Sequence, residues 1–135
     1  MKRNLKLPRR SARSGAAAVE FAIAAPIFFA LFFAAVEVTR VNQISNSAEI
    51  AATEGARRGI IPGASAAECI AGASNEMRAV GVENFTVRVF PSQIREDTPT
   101  VRVQVNVPMK ASNGLLVSGL FSGKTVSRSI ELERE

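Results

Sequence analysis

Glu20 is the residue whose chemistry most needs an explanation. It stands near the start of the longest apolar run in the chain, "AAAVEFAIAAPIFFALFFAAV", residues 16–36, which holds no other charge. An ionised carboxylate four residues inside a bilayer-spanning helix costs on the order of 1–3 kcal/mol, less near the interface. An acid in such a place is a functional group by default and calls for a partner. One arises if the chain is cut after Gly15. The new amine on Ala16 is then cationic and lies four positions before Glu20, on the same helical face. Glu20 also falls in the first turn of the trimmed helix, where the helix dipole favours negative charge. The amine could belong to the same chain or to a neighbouring subunit.

Few other residues suggest chemistry. There is no histidine, tyrosine or tryptophan, so the usual general base and the commonest metal ligand are both missing. The single cysteine, Cys69, allows no internal disulfide and no multi-cysteine zinc site. Its plain reading is a small semi-buried residue. Ser122 and Lys124 fit an ordinary turn entering a strand, and the Glu96-Asp97 pair fits a solvated loop. Neither a P-loop nor a dinucleotide-binding glycine pattern occurs. The expectation is a protein that is not an enzyme, with no catalytic residues, no cofactor and no metal.

The elements that must position Glu20 follow from charge and periodicity. The net charge is +5, from 17 basic and 12 acidic residues. Six of the 17 (Lys2, Arg3, Lys6, Arg9, Arg10, Arg13) lie in residues 1–15, so residues 16–135 hold 11 bases against 12 acids. The body of the chain therefore lacks the basic stripe that nucleic-acid binding requires. Residues 1–15 are read as a basic leader and 16–36 as a transmembrane helix. These 21 residues span roughly 31 Å as a helix, which suits a hydrocarbon core of about 30 Å. The leader cations place the N-terminus in the cytoplasm and residues 37–135 outside it. A cleaved secretory signal fits less well, because the run exceeds about 15 residues and carries an acid, Glu20, near its start.

The wording "RSGAAAVEFAIAAPIFFALFFAAVEVTR", residues 13–40, resembles the TadE-like minor pseudopilins of tight-adherence (Flp, type IVb) pilus systems. There a basic leader precedes G-x-A-x-V-E-F-A, an apolar run containing proline follows, and E-x-x-R closes it, here Glu37 to Arg40. The resemblance implies cleavage between Gly15 and Ala16 by a prepilin peptidase, with Glu20 and Phe21 serving processing or assembly. It also implies residence in the cytoplasmic (inner) membrane. The implied partners are the peptidase, other pilins or pseudopilins, the inner-membrane assembly platform and membrane lipid, and no nucleic acid. From the residues alone, Glu37 and Arg40 at i, i+3 read as a pair on the helix surface near the outer interface.

Beyond the membrane the expected class is α+β and pilin-like. Val41, Ile44, Ala48, Ala52 and Gly55 recur every three or four residues, predicting helix over 37–58. Ser65 and Glu68 form a capping box for a second helix over 65–80, stopped by Gly81. Period-two alternation then predicts strands at 84–90, 100–107 and 124–132, an antiparallel sheet of about three. Arg128 shares the parity of Val126, Ile130 and Leu132, which places it at an edge, at a bulge or beside an acid. The loop "ASNGLLVSGLFSG" carries Leu115, Leu116, Val117, Leu120 and Phe121. It reads as core cover with one or two exposed anchors, the alternative being a patch for a neighbouring subunit or the outer leaflet.

Three functional classes follow. The leading one is a structural pseudopilin required to assemble an adhesive pilus. The alternative is an uncleaved single-pass protein whose head binds a partner or envelope ligand. An envelope hydrolase is the third, and the absent histidine counts against it.

Overall fold

An apolar run passing directly into an alanine-rich stretch, with no glycine between Gly15 and Gly55, favours one long helix. The computed structural model describes residues 10–110, 113, 121 and 123–134, with backbone alone over 10–14. Its first helix, α1, spans Arg10–Gly59 and so begins six residues ahead of the apolar run. Pro26 lies inside it and removes the N–H that would bond the carbonyl of Ala22.

The chain divides into two compact units, Met1–Ala35 and Val36–Glu135, and α1 contributes to both. In the first unit the large side chains from Val19 to Phe33 are all exposed, Phe21 the most at 72 %. This helix is long and apolar enough to cross a membrane.

In the second unit α1 turns amphipathic and buries Ile44, Ala48, Ala51, Ala52 and Ala56. The helix α2, Ala66–Ala79, contributes Cys69, Ala73 and Met77 to the same core. Its start is the expected capping box. The Glu68 N–H donates to Ser65 Oγ at 3.3 Å, and the Ser65 N–H donates to Glu68 Oε2 at 2.8 Å. Gly81, at φ +73°, supplies the left-handed residue after the helix ends.

Three strands, β1 (Thr86–Phe90), β2 (Thr100–Pro108) and β3 (Thr125–Glu133), form an antiparallel sheet in the order β1-β2-β3. The fold is thus the α+β arrangement of two helices and three strands. Central β2 buries Val101, Val103, Val105 and Val107 completely. Each such valine contributes about 1.5–3 kcal/mol relative to exposure. The helices lie close because Gly55 leaves room: a Cβ there would sit 2.9 Å from the Cys69 carbonyl oxygen and 3.1 Å from Val103 Cγ1.

β1 begins at Thr86, later than the alternation suggests, because Asn84 is engaged elsewhere. Its N–H donates to Asn113 Oδ1 at 3.1 Å, and its carbonyl accepts from Asn113 Nδ2 at 3.0 Å. Arg128 lies on the edge strand β3, opposite Val105 in an unbroken register, and also beside an acid. Its Nη2 donates to Ser45 Oγ at 2.6 Å and its Nε lies 3.9 Å from Glu49 Oε2. Of the apolar β2–β3 connection, Phe121 is half-buried against the core. Leu115, Leu116, Val117 and Leu120 lie outside the described residues.

Candidate processing and anchoring site

Gly15, Ala16, Glu20 and Phe21 all lie on α1 and are all exposed. Ala16 and Glu20 stand one turn apart, so their side chains share a face. A Cβ built on Gly15 meets nothing within 4 Å outside the helix's own backbone. The Gly15–Ala16 peptide is helical, and a peptidase works on extended chain. Glycine weakens a helix by about 1 kcal/mol relative to alanine, so local unwinding costs least there.

Glu37 does not lie on the helix surface, where its spacing from Arg40 would put it. It is fully buried. Arg40 donates to the Asn113 carbonyl from Nε at 3.4 Å and Nη2 at 3.3 Å, and from Nη1 to Gln43 Oε1 at 2.9 Å. The physical reason is reach: the long guanidinium stem spans to the β2–β3 connection, whose carbonyl needs a donor once buried.

Asn113 is the residue that sequence reasoning missed. It is fully buried, and besides its two bonds to Asn84 its Nδ2 donates to the Pro108 carbonyl at 2.8 Å. One side chain thereby joins the end of β2 to the approach to β1, while its backbone receives α1. No local pattern marks it, since Asn84 and Arg40 are 29 and 73 positions away. A polar residue inside an apolar loop was the one available hint.

Cys69 is fully buried, with Sγ 3.4 Å from the Ser65 carbonyl. Burial pushes its thiol up, as expected of an unreactive core residue. Among the described residues no group of three His, Cys, Asp or Glu side chains could hold a metal ion.

No curated protein and no solved structure matches this chain. A family model does match, over residues 15–57, from the glycine of the expected cut to the last turns of α1. Over that segment, about a third of the chain, it is similar to the TadE-like protein family that its sequence resembles.

Proposed function

We propose that the chain is a minor pseudopilin required to assemble an adhesive Flp-type pilus, inserted in the cytoplasmic membrane and cut between Gly15 and Ala16 by a prepilin peptidase. The observation that carries this reading is the TadE-like match, which begins at Gly15 and includes Glu20 and the whole apolar run. The six leader cations hold residues 1–15 in the cytoplasm, where a peptidase acting at the membrane's inner face reaches Gly15. Cutting there removes all six and creates the Ala16 amine. Paired with Glu20 of a neighbouring subunit, that amine sets the axial register between packed helices and offsets the cost of a carboxylate in lipid. The exposed phenylalanines and isoleucines of the apolar run supply lateral packing against other pilin helices, and the head governs which subunits are admitted. The role is structural rather than catalytic.

The reading is tested in cells by replacing the gene with a Glu20→Ala allele. Pilus assembly should be lost while the protein remains in the membrane fraction. Normal assembly with Glu20→Ala would contradict it.

A further inference from the structure

The two outer strands leave the edges of the sheet in different states. Along an edge strand, residues alternate between bonding inward to the neighbouring strand and turning both backbone groups outward. The Met109 N–H donates to the Lys124 carbonyl at 2.8 Å and the Arg134 N–H to the Pro99 carbonyl at 2.9 Å, one at each end of the β2–β3 ladder. These bonds continue the register of that pair and make the even-numbered residues of β3 the inward ones. Thr125, Ser127, Ser129, Glu131 and Glu133 therefore turn their N–H and C=O groups to the outer side. No strand pairs with them there among the described residues. The opposite edge is shorter, since β1 has five residues against nine in β3. By the same alternation β1 turns out only Val87 and Val89, and Pro91 just beyond has no N–H to offer.

The two faces of β3 differ in charge. Val126, Arg128, Ile130 and Leu132 stand opposite buried valines of β2 and so share the face that the helices cover. Val126, Ile130 and Leu132 are only half-buried there. Arg128 keeps 48 % of its side chain exposed, although it donates to Ser45 and approaches Glu49. Both acids of β3, Glu131 and Glu133, lie on the other face, where Glu131 pairs with Arg102 at 2.6 Å. A second copy pairing symmetrically along this edge would lie antiparallel, with the same face on the same side. It would bring a second Arg128 to the helix side and no acid. A charge on the covered side of an edge strand discourages such self-pairing.

We propose that the outer edge of β3 receives an extended strand of a different protein, with an acidic side chain level with Arg128 and apolar side chains two residues to either side. The backbone groups of Ser127, Ser129 and Glu131 supply the ladder, as in other cases of strand addition. The two apolar side chains extend the cover of Val126 and Ile130, and the acid pairs across the strands with the Arg128 guanidinium. Arg128 thus acts twice: it keeps copies of β3 apart and selects the partner by charge. Every residue involved lies in the head, so the contact is independent of any cut after Gly15.

The test follows backbone-amide exchange by NMR on the full chain, isotope-labelled and held in detergent micelles. The probes are synthetic peptides as long as β3, of alternating valine and threonine, with glutamate or lysine replacing the central valine. In the free protein the amides of Ser127, Ser129 and Glu131 should exchange fast and those of Arg128 and Ile130 slowly. The glutamate peptide should slow the first three and leave Val87 and Val89 unchanged. It should also bind about five- to tenfold more tightly than the lysine peptide. Arg128→Glu should reverse that order and Arg128→Gln should level it, with slow Val103 and Val105 amides showing that each variant is folded. Slow exchange of Ser127, Ser129 and Glu131 in the dilute free protein would overturn the proposal, because the edge would then be covered within the chain. Protection that grows with protein concentration alone would assign the edge to a second copy and overturn it too. So would failure of both peptides to slow these amides, equal binding of the two, or a preference that neither Arg128 change alters.

Discussion

Arg40 and Asn113 are 73 positions apart, yet two guanidinium nitrogens of the first converge on the carbonyl of the second at 3.4 and 3.3 Å. The Asn113 side chain in turn satisfies both backbone groups of Asn84 and the carbonyl of Pro108. Together these bonds tie α1, the approach to β1 and the β2–β3 connection into one polar knot.

Asn113→Leu should therefore be among the most damaging single changes in the head. Each buried backbone group left without a partner costs about 1–3 kcal/mol. The side chain serves one N–H and two carbonyls, so the loss should exceed that of any surface substitution. Denaturant unfolding of the detergent-solubilised protein, followed by circular dichroism, measures it. Arg40→Lys should cost less, because an ammonium keeps one of the bonds.

Glycines at two close approaches should resist alanine, and one should not. A Cβ on Gly59 would lie 2.7 Å from Val101 Cγ1 and one on Gly55 2.9 Å from the Cys69 carbonyl oxygen. Overpacking of this kind costs about 1–3 kcal/mol, against roughly 1 kcal/mol gained in helix propensity. Both substitutions should lower the thermal midpoint. The three atoms nearest a Cβ on Gly72 all belong to the Arg58 side chain, Cδ and Nε at 2.6 Å, which can swing away. Displacing it loosens only the exposed Arg58–Glu54 pair, worth little. Its midpoint should hold or rise.

Ser65→Ala should destabilise the head by about 1 kcal/mol through loss of the α2 cap. The cap also carries a pH signature. The Ser65 backbone N–H, followed by its hydroxyl, holds the Glu68 carboxyl below its ordinary value. A carboxyl with a lowered folded-state pKa stabilises fully above its unfolded-state pKa, and that contribution is lost as the pH falls through the folded value. Stability should thus decline on acidification below the normal carboxylate range. The decline should be shallower in Glu68→Gln, which keeps the geometry of the box without the titration.

Much of the head could be read from its sequence because the signals were local. Alternating Val101 to Val107 between polar neighbours gave the central strand, and Ser65 with Glu68 three positions on gave the helix start. What escaped depended on partners distant in sequence. Asn113 looks like any loop asparagine until Asn84 and Arg40 are brought beside it. The Glu37–Arg40 spacing suggested a surface pair, but Glu37 is buried and Arg40 reaches the Asn113 carbonyl. Arg128 broke the strand pattern visibly, but its contact with Ser45 needed α1 to cross the sheet at that height. For Gly15, Ala16, Glu20 and Phe21 the order was the reverse. Their spacing on an exposed helix says little in itself, and the order of residue types around them carried the reading.

The most direct test of the central claim is the intact mass of the protein extracted from membranes of cells that hold an active prepilin peptidase. The account predicts a mature chain beginning at Ala16, free of all six leader cations. A chain still beginning at Met1 would contradict it.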